Sequence, residues 1–438
     1  MKVTAASAAS EYTGRRHRWV QLIMGLVCMA MVANLQYGWT LFVNPMHVKM
    51  GWSTAAIQVA FSVFVLTETW LVPVEGWAMD KFGPRPVVMV GAVLAAAAWV
   101  LDSMATSLAM LYFAAVVAGV GAGCVYGTCV GSALKWFPDK RGLAAGLTAA
   151  GFGAGAAVTV IPISNMINGA GYQQAFLTFG LLQGAVILVI ALFLVRPPTG
   201  KAAPRSASRV NPNTRHQFTP GEMVRTPVFW LLYVVFVLVA AGGLMAAAQV
   251  APIAKDYGVS NVPMTLLGTT LPLLTMTIAI DNLANGFTRP LTGWLSDHIG
   301  RENTMVMVFI GEGLAMLGLV KFGHDPVGFM IFAPLIFLCW GEIFSIFPAV
   351  SGDTFGTKYA AANSGLLYTA KGTASLLVPL ASVLQVATGS WTSVLWVAAV
   401  MSIAAGLLAK LVIMPLRRRM LSADALEAPM GGAVLQGD

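Results

Sequence analysis

Apolar residues along the chain fall in runs of roughly twenty or more, broken by short polar stretches, with neither the strict alternation of a half-buried strand nor the narrow stripe of a surface helix. About 20 such residues cross the hydrocarbon core of a bilayer as a helix. The pattern predicts twelve spans, at 19–43, 55–79, 86–106, 109–134, 142–164, 172–195, 227–249, 264–292, 304–322, 328–351, 361–386 and 392–416. One longer polar stretch begins Arg196-Pro197-Pro198-Thr199-Gly200-Lys201 and reads as a linker. The expected organisation is an N-terminal segment 1–18, a six-helix bundle 19–195, the linker 196–226, a second six-helix bundle 227–416 and a tail 417–438. The predicted fold is therefore an all-α polytopic membrane protein of 12 transmembrane helices.

Composition agrees with lipid as the main solvent. Of 438 residues 57% are hydrophobic and 10% charged, with mean hydropathy +0.76, where a soluble domain carries about 25% charged residues. The net charge of +8 would point to a polyanion in a soluble protein. Sorted by loop, it does not. Of the 26 Lys and Arg, twenty lie in loops on the side of the N-terminus and three (Lys49, Lys255, Lys321) in the opposite loops. The other three, Arg289, Lys371 and Lys410, lie within spans. That asymmetry is the positive-inside rule, so both termini are expected in the cytoplasm and no nucleic-acid partner is called for. Arg15, Arg16 and Arg18 precede a full-length apolar run, which reads as the first span and not as a cleaved signal.

Catalytic and metal chemistry find no footing. Cys28, Cys124, Cys129 and Cys339 all lie in predicted spans as small apolar filler, so neither a disulfide nor a metal site is expected. Gly119-x-Gly121-x-Gly123 has the spacing of a nucleotide loop but sits mid-membrane with no strand before it, where small residues serve close helix packing. No Walker A, HExxH or GxSxG sequence occurs. An enzyme, an ATP-driven pump and a bound cofactor are all unexpected.

The two halves repeat. Gly76-x-x-x-Asp80-Lys81-x-Gly83-x-Arg85 after the second span returns as Gly293-x-x-x-Asp297-His298-x-Gly300-Arg301 after the eighth. Pro45, Gly51 and Ser53 return as Pro252, Gly258 and Ser260. Each half enters from the same side, so the repeats are parallel, and a solute site is expected between them near the midplane. Gly76, Asp80, Arg85, Gly293, Asp297 and Arg301 are read as gating loops: glycines for close packing, and acids that latch the halves in one state.

Charges inside spans cost about 2.5–3.5 kcal/mol each and are functional candidates. Arg289 and Lys371 both fall in the second half, on the eighth and eleventh spans, and so can converge on one cavity. A guanidinium grips a carboxylate bidentately and an ammonium adds a compact second charge. The bland alternative is neutralisation of the buried acids Glu68, Asp281, Glu312 or Glu342, with Asp281-Asn285-Arg289 forming a ladder on one helix face. Gln36, Tyr37 and Trp39, Tyr126, Trp340, Phe344, Phe347 and Tyr368 supply polar and aromatic lining at similar depth. Lys410, near a helix end, is expected to snorkel.

These residues resemble the oxalate:formate antiporter branch of the major facilitator superfamily. The resemblance runs through Leu35-Gln36-Tyr37-x-Trp39, Asp80-Lys81-Phe82-Gly83-Pro84-Arg85, Trp136-Phe137-Pro138-Asp139-Lys140-Arg141-Gly142, Asn285-Gly286 with Arg289-Pro290, Trp340-Gly341 and Ala370-Lys371. It implies that Arg289 and Lys371 bind the substrate carboxylates, with Gln36, Tyr37, Tyr126, Phe152, Trp340, Phe344 and Tyr368 lining the pocket. Phe152 and Phe344 stand where that carrier has Tyr, and Tyr368 where it has Trp. Glu68, Asp281 and Glu342 stand where it is uncharged, as proton carriers or charge partners. These departures favour a monocarboxylate or a bulkier acid over oxalate. The expectation is a monomeric, alternating-access exchanger of small carboxylates in a bacterial inner membrane. Its rival is a proton-coupled monocarboxylate symporter.

Overall fold

The computed structural model describes residues 3–137, 141–196, 214, 216–266, 268–356 and 359–427; within them the side chains of 3–16, Asp80, Leu134, 141–143, 145, 360–361 and 423–427 are not described. The described residues form twelve long helices or broken helices. Span 1 covers His17–Met50, continuous with a helix that begins at Val3. It breaks around Gly38 into the pieces Asn34–Tyr37 and Thr40–Met50. Span 2 is Thr54–Trp70 followed by Val72–Met79, bent by 44°. Pro73, which has no N–H to give the preceding turn, sits at the bend.

Spans 3 to 6 are Pro84–Met104, Leu108–Trp136, Arg141–Ala170 and Tyr172–Ala191. Span 7 is Pro227–Asp256, span 8 Leu273–Ile299 and span 9 Arg301–Phe322. Span 10 is Pro326–Trp340 with Ile343–Phe355, and span 11 is Ala360–Ser375 with Leu377–Thr388. Span 12, Trp391–Leu408, runs on through a π turn, Ala409–Ile413, into Met414–Glu427. Ten of these, and the bent span 2, are long and apolar enough to cross a membrane. Span 8 has the length, 27 residues, but its Asp281, Arg289 and Asp297 leave it too polar to qualify by composition.

Spans 1, 5 and 7 run six or seven residues past their expected ends, and two regions differ in kind from the sequence reading. Residues expected to start span 8 instead pair as an antiparallel hairpin, β1 Pro263–Leu266 with β2 Thr269–Pro272. Threonines and flanking prolines favour extended backbone, and Gly268 turns at φ +80°. The second difference is at the C-terminus, where helix replaces the first ten or so residues of the expected tail. Arg417 is buried there, giving hydrogen bonds to Glu302 (2.6 Å) and Thr354 (2.7 Å). Lys410 stays exposed and donates to Asn303. Of the linker, residues 197–213 and Arg215 lie outside the described set; Thr219 caps a short helix, Pro220–Met223, and Thr226 caps span 7.

Each half packs on itself, span 3 against 4 and 6 in the first and span 9 against 10 and 12 in the second. Two seams join them: span 5 against span 8, and span 2 against span 11. Glycines bring the backbones together at both. A Cβ on Gly286 would lie 2.4 Å from Ala154 Cβ and 2.8 Å from its backbone nitrogen, and one on Gly372 would lie 2.2 Å from Thr69 Oγ1. The repeat is visible in the turns. Gly51 and its echo Gly258 have φ of 68° and 74°, and Gly83 and its echo Gly300 have 90° and 96°, values that only glycine adopts freely.

Candidate functional site

The breaks in the spans mark the site. Gln36 and Tyr37 precede the break in span 1, and Glu68 lies just before the bend in span 2. Trp340 and Phe344 flank the break in span 10, and Lys371 sits shortly before that in span 11. Pro379 follows this last break and has no N–H for the Ser375 carbonyl. Irregular backbone at membrane depth is tolerated where it is enclosed by protein or lines a solute path. Gly341 allows the span 10 break to meet span 8, since a Cβ there would be 2.5 Å from the Asn285 carbonyl oxygen.

The two intramembrane cations do converge. Arg289 and Lys371 are both 0% exposed. The ring centroid of Phe344 is 4.2 Å from the Arg289 guanidinium carbon and 5.4 Å from Lys371 Nζ. Arg289 donates through Nη1 to the Ala149 carbonyl of span 5 (2.9 Å), and through Nη2 to Tyr37 (3.0 Å) and Asn285 Oδ1 (2.8 Å). Lys371 donates to Gln36 Oε1 (2.8 Å), Glu68 Oε2 (2.9 Å) and the Tyr368 hydroxyl (3.3 Å). Gly153 makes room for the guanidinium: a Cβ there would stand 2.9 Å from Arg289 Nε.

Aromatic rings close the walls. Tyr126 stacks on Tyr368 with centroids 5.5 Å apart, and meets Phe152 edge-on at 5.2 Å. Tyr37 meets Phe152 at 5.6 Å and Trp340 at 6.2 Å, and Trp340 meets Phe344 at 5.6 Å. All nine residues expected to line the pocket thus belong to one cluster. None of them is more than 9% exposed, so the site is shut off from bulk solvent. A small cavity of about 20 Å³ lies beside it in the first half, between Asn34, Trp39, Phe61, Phe64, Trp99 and Asp102, and neither cation lines it.

Both donors and acceptors of the site lack hydrogen-bond partners among the described residues: Arg289 Nε, Gln36 Nε2, Asn285 Nδ2 and Trp340 Nε1 on one side, Glu68 Oε1 and both oxygens of Glu342 on the other. The two cations and the spare N–H groups are what the site offers an anion.

The three acids divide. Glu68 pairs with Lys371, both fully buried. Asp281 does not reach Arg289: Asn285 links Arg289 only to Tyr37, whose hydroxyl also donates to Asn285 Oδ1 at 3.2 Å, and both Asp281 oxygens lack a partner among the described residues. The alternative of an Asp281-Asn285-Arg289 ladder is therefore not formed: Asn285 Oδ1 serves Arg289 and Tyr37, and its Nδ2 does not bond Asp281. Glu342 and Glu312 likewise have no hydrogen-bond partner among the described residues.

In the gating loops two of the glycines differ from expectation. Arg301 bonds Asp297 (2.7 Å) and Asp353 (3.0 Å), tying spans 8, 9 and 10 together inside the second half. Gly76 and Gly293 have open space or ordinary contact around a notional Cβ, so neither is needed for close packing. The tight position is Gly83, packed against Arg196, which also donates to the Lys81 carbonyl. Arg85 is exposed, and the Asp80 side chain is outside the described set.

Sequence reasoning missed the polar seam on the side opposite the termini. There Gln58 donates to the Ala248 carbonyl (2.7 Å) and to Gln249 (3.3 Å), while accepting from Trp39. Gln249 reaches Ser382, the Thr40 hydroxyl accepts from the Ala251 amide, and Ser164 meets Thr275. Ser62 and Ser375 each bond the other's carbonyl nearer the site. Polar residues at matching depth on spans 1, 2, 7 and 11 were the available signal.

Twelve packed helices in two repeated sets, with a charged site at their junction, define a multi-pass membrane transporter. The sequence model of the Major Facilitator Superfamily matches residues 22–379 and 264–430. The chain belongs to that superfamily. It is 38% identical to the oxalate:formate antiporter of Oxalobacter formigenes over 82% of this chain and 83% of that protein. It is 27% identical to human monocarboxylate transporter 11 over 57% of this chain and half of that one. A crystal structure of a peptide transporter superposes with TM-score 0.70 at 13% identity, covering 91% of this chain and 95% of that one, and so shares the fold.

Proposed function

We propose that this protein is a secondary transporter exchanging small carboxylate anions of the oxalate/formate type by alternating access. The observation that carries the reading is the meeting of two fully buried cations, Arg289 and Lys371, against one aromatic ring between the two halves. Likeness to the oxalate:formate antiporter supports the substrate class. Arg289 offers its remaining N–H groups to a carboxylate, Gln36 and Asn285 add amide donors, and the aromatic rings exclude water around the charge. Both cations reach across the seam to acceptors of the first half, so the two bundles cannot part on either side without exchanging those bonds for others. A bound carboxylate supplies them, which favours exchange over one-way leak. The lysine and arginine asymmetry supports a plasma-membrane carrier with both termini cytoplasmic, and the site needs only one chain, in keeping with a monomer.

A second reading, proton-coupled symport of a monocarboxylate, draws on the buried Glu68–Lys371 pair, whose carboxylate can carry a proton. The test is counterflow in proteoliposomes. Entry of labelled formate or oxalate that requires internal carboxylate, and is lost in Arg289→Gln, supports exchange. Entry driven by an imposed pH gradient with no internal carboxylate would replace exchange with symport.

A further inference from the structure

We infer that Glu68 sets the charge of the anion this site accepts: by cancelling one of the two buried cations it makes the site selective for a monoanion over a dianion. The inference rests on the carboxylate-carrier reading above and narrows it.

A lysine ammonium has three N–H donors and no acceptor. All three donors of Lys371 are directed inside the protein, to Gln36, Glu68 and Tyr368. Arg289 makes no ion pair among the described residues and keeps Nε unpartnered. The two cations are therefore not equivalent. Arg289 has no ion-paired acid among the described residues, Glu342 acting on it only through space, whereas Lys371 is held in an ion pair with both partners at 0% exposure.

Charge in a buried setting has to be balanced close by. With Arg289 and Lys371 positive and Glu68 negative, the site carries one net positive charge. A single carboxylate on Arg289 brings it to neutrality. A dianion would leave one negative charge in excess, and its second carboxylate would stand near Lys371, whose donors are taken, and near Glu68 Oε1, a buried acceptor without a partner. The walls there supply no charge: Gln36 Nε2 is a neutral donor beside Lys371. Phe152 and Phe344, 5.6 and 5.4 Å from Lys371 Nζ, have no hydrogen-bond donors to offer. Among the buried acids of the described spans Glu68 is the one hydrogen-bonded to a site cation; Glu342 lies within electrostatic reach of Arg289 and makes no bond to it.

Oxamate and oxalate separate charge from shape, because they share a skeleton and differ by an amide in place of one carboxylate. The full-length protein is reconstituted in liposomes loaded with formate, and each compound competes externally against entry of labelled formate. In the unaltered protein oxamate should compete at a concentration at least about tenfold below oxalate. In Glu68→Gln the site gains one net positive charge, and the ratio should move toward oxalate by about tenfold or more. Oxalate as the stronger competitor in the unaltered protein overturns the inference, as does a folded Glu68→Gln whose ratio is unchanged. Should Glu68→Gln not be recovered folded, the ratio in the unaltered protein decides alone. If labelled formate does not exchange at all and neither compound binds, the carrier reading itself falls, an outcome distinct from failure of the Glu68 assignment.

Discussion

The first half and the second half of this molecule turn their chains at matching places, Gly51 with Gly258 and Gly83 with Gly300, and meet through matching seams of spans 5 with 8 and 2 with 11. Their chemistry does not match. Both site cations come from the second half, on spans 8 and 11, while the first half answers with acceptors: the Ala149 carbonyl, the Tyr37 hydroxyl, Gln36 and Glu68. In the exchange cycle proposed above the repeated scaffold carries the rocking of the two bundles, and the unequal chemistry makes the meeting of the halves depend on charge. Symmetry serves the motion, and its breaking serves recognition.

The largest expected effect tests that division directly. Arg289→Gln and Lys371→Gln should each lower carboxylate exchange by about a hundredfold or more, since removing one member of a buried charge arrangement costs about 3–5 kcal/mol. Exchange in proteoliposomes reads this, and intact exchange in both variants would remove the cations from the mechanism. A sharper form pairs a loss in each half: Lys371→Gln with Glu68→Gln restores one net positive charge. The double variant should regain a measurable part of formate exchange that Lys371→Gln lacks; if it stays as inactive as the single one, charge balance is not what the first half contributes.

Smaller effects probe the scaffold. Gly286→Ala forces a methyl into the backbone of span 5, an overpacking of about 1–3 kcal/mol. It should slow exchange and lower the thermal midpoint of the purified protein, whereas alanine at Gly76, where a Cβ meets nothing within 4 Å, should do neither. Gln58→Ala removes seam bonds opposite the termini, each worth about 0.5–1.5 kcal/mol. Labelling of a cysteine placed at Gln249 by a membrane-impermeant thiol reagent should then speed up about twofold to tenfold.

Most of the helical frame and the positions of the two cations are legible in the sequence, because a charge inside an apolar run is costly enough to stand out. Their partners are less so. The Ala149 carbonyl carries no side-chain signal, and Asn285 sits equally one turn from Asp281 and one turn from Arg289, so spacing alone could not say which it serves. The sequence places residues 264–272 in a span because hydropathy sees apolar character and not the extended preference of their threonines. Arg417 was read as tail because three consecutive arginines look like a solvated run, yet one of them turns inward to Glu302. In each case the deciding contact lies far away in the chain.

The polarity of span 8 has a consequence for how the protein is made. A central Arg or Asp opposes insertion of an isolated helix by about 2.5–3.5 kcal/mol, and this span carries Asp281 and Arg289 together. Chains are synthesised from the N-terminus and N-terminal units fold first. Span 5, with the Ala149 carbonyl and the glycines that admit span 8, is already in the bilayer when span 8 leaves the ribosome. The first half is thus a template on which span 8 assembles, and exchanging the order of the halves in the gene would ask that polar helix to enter lipid before its partners exist.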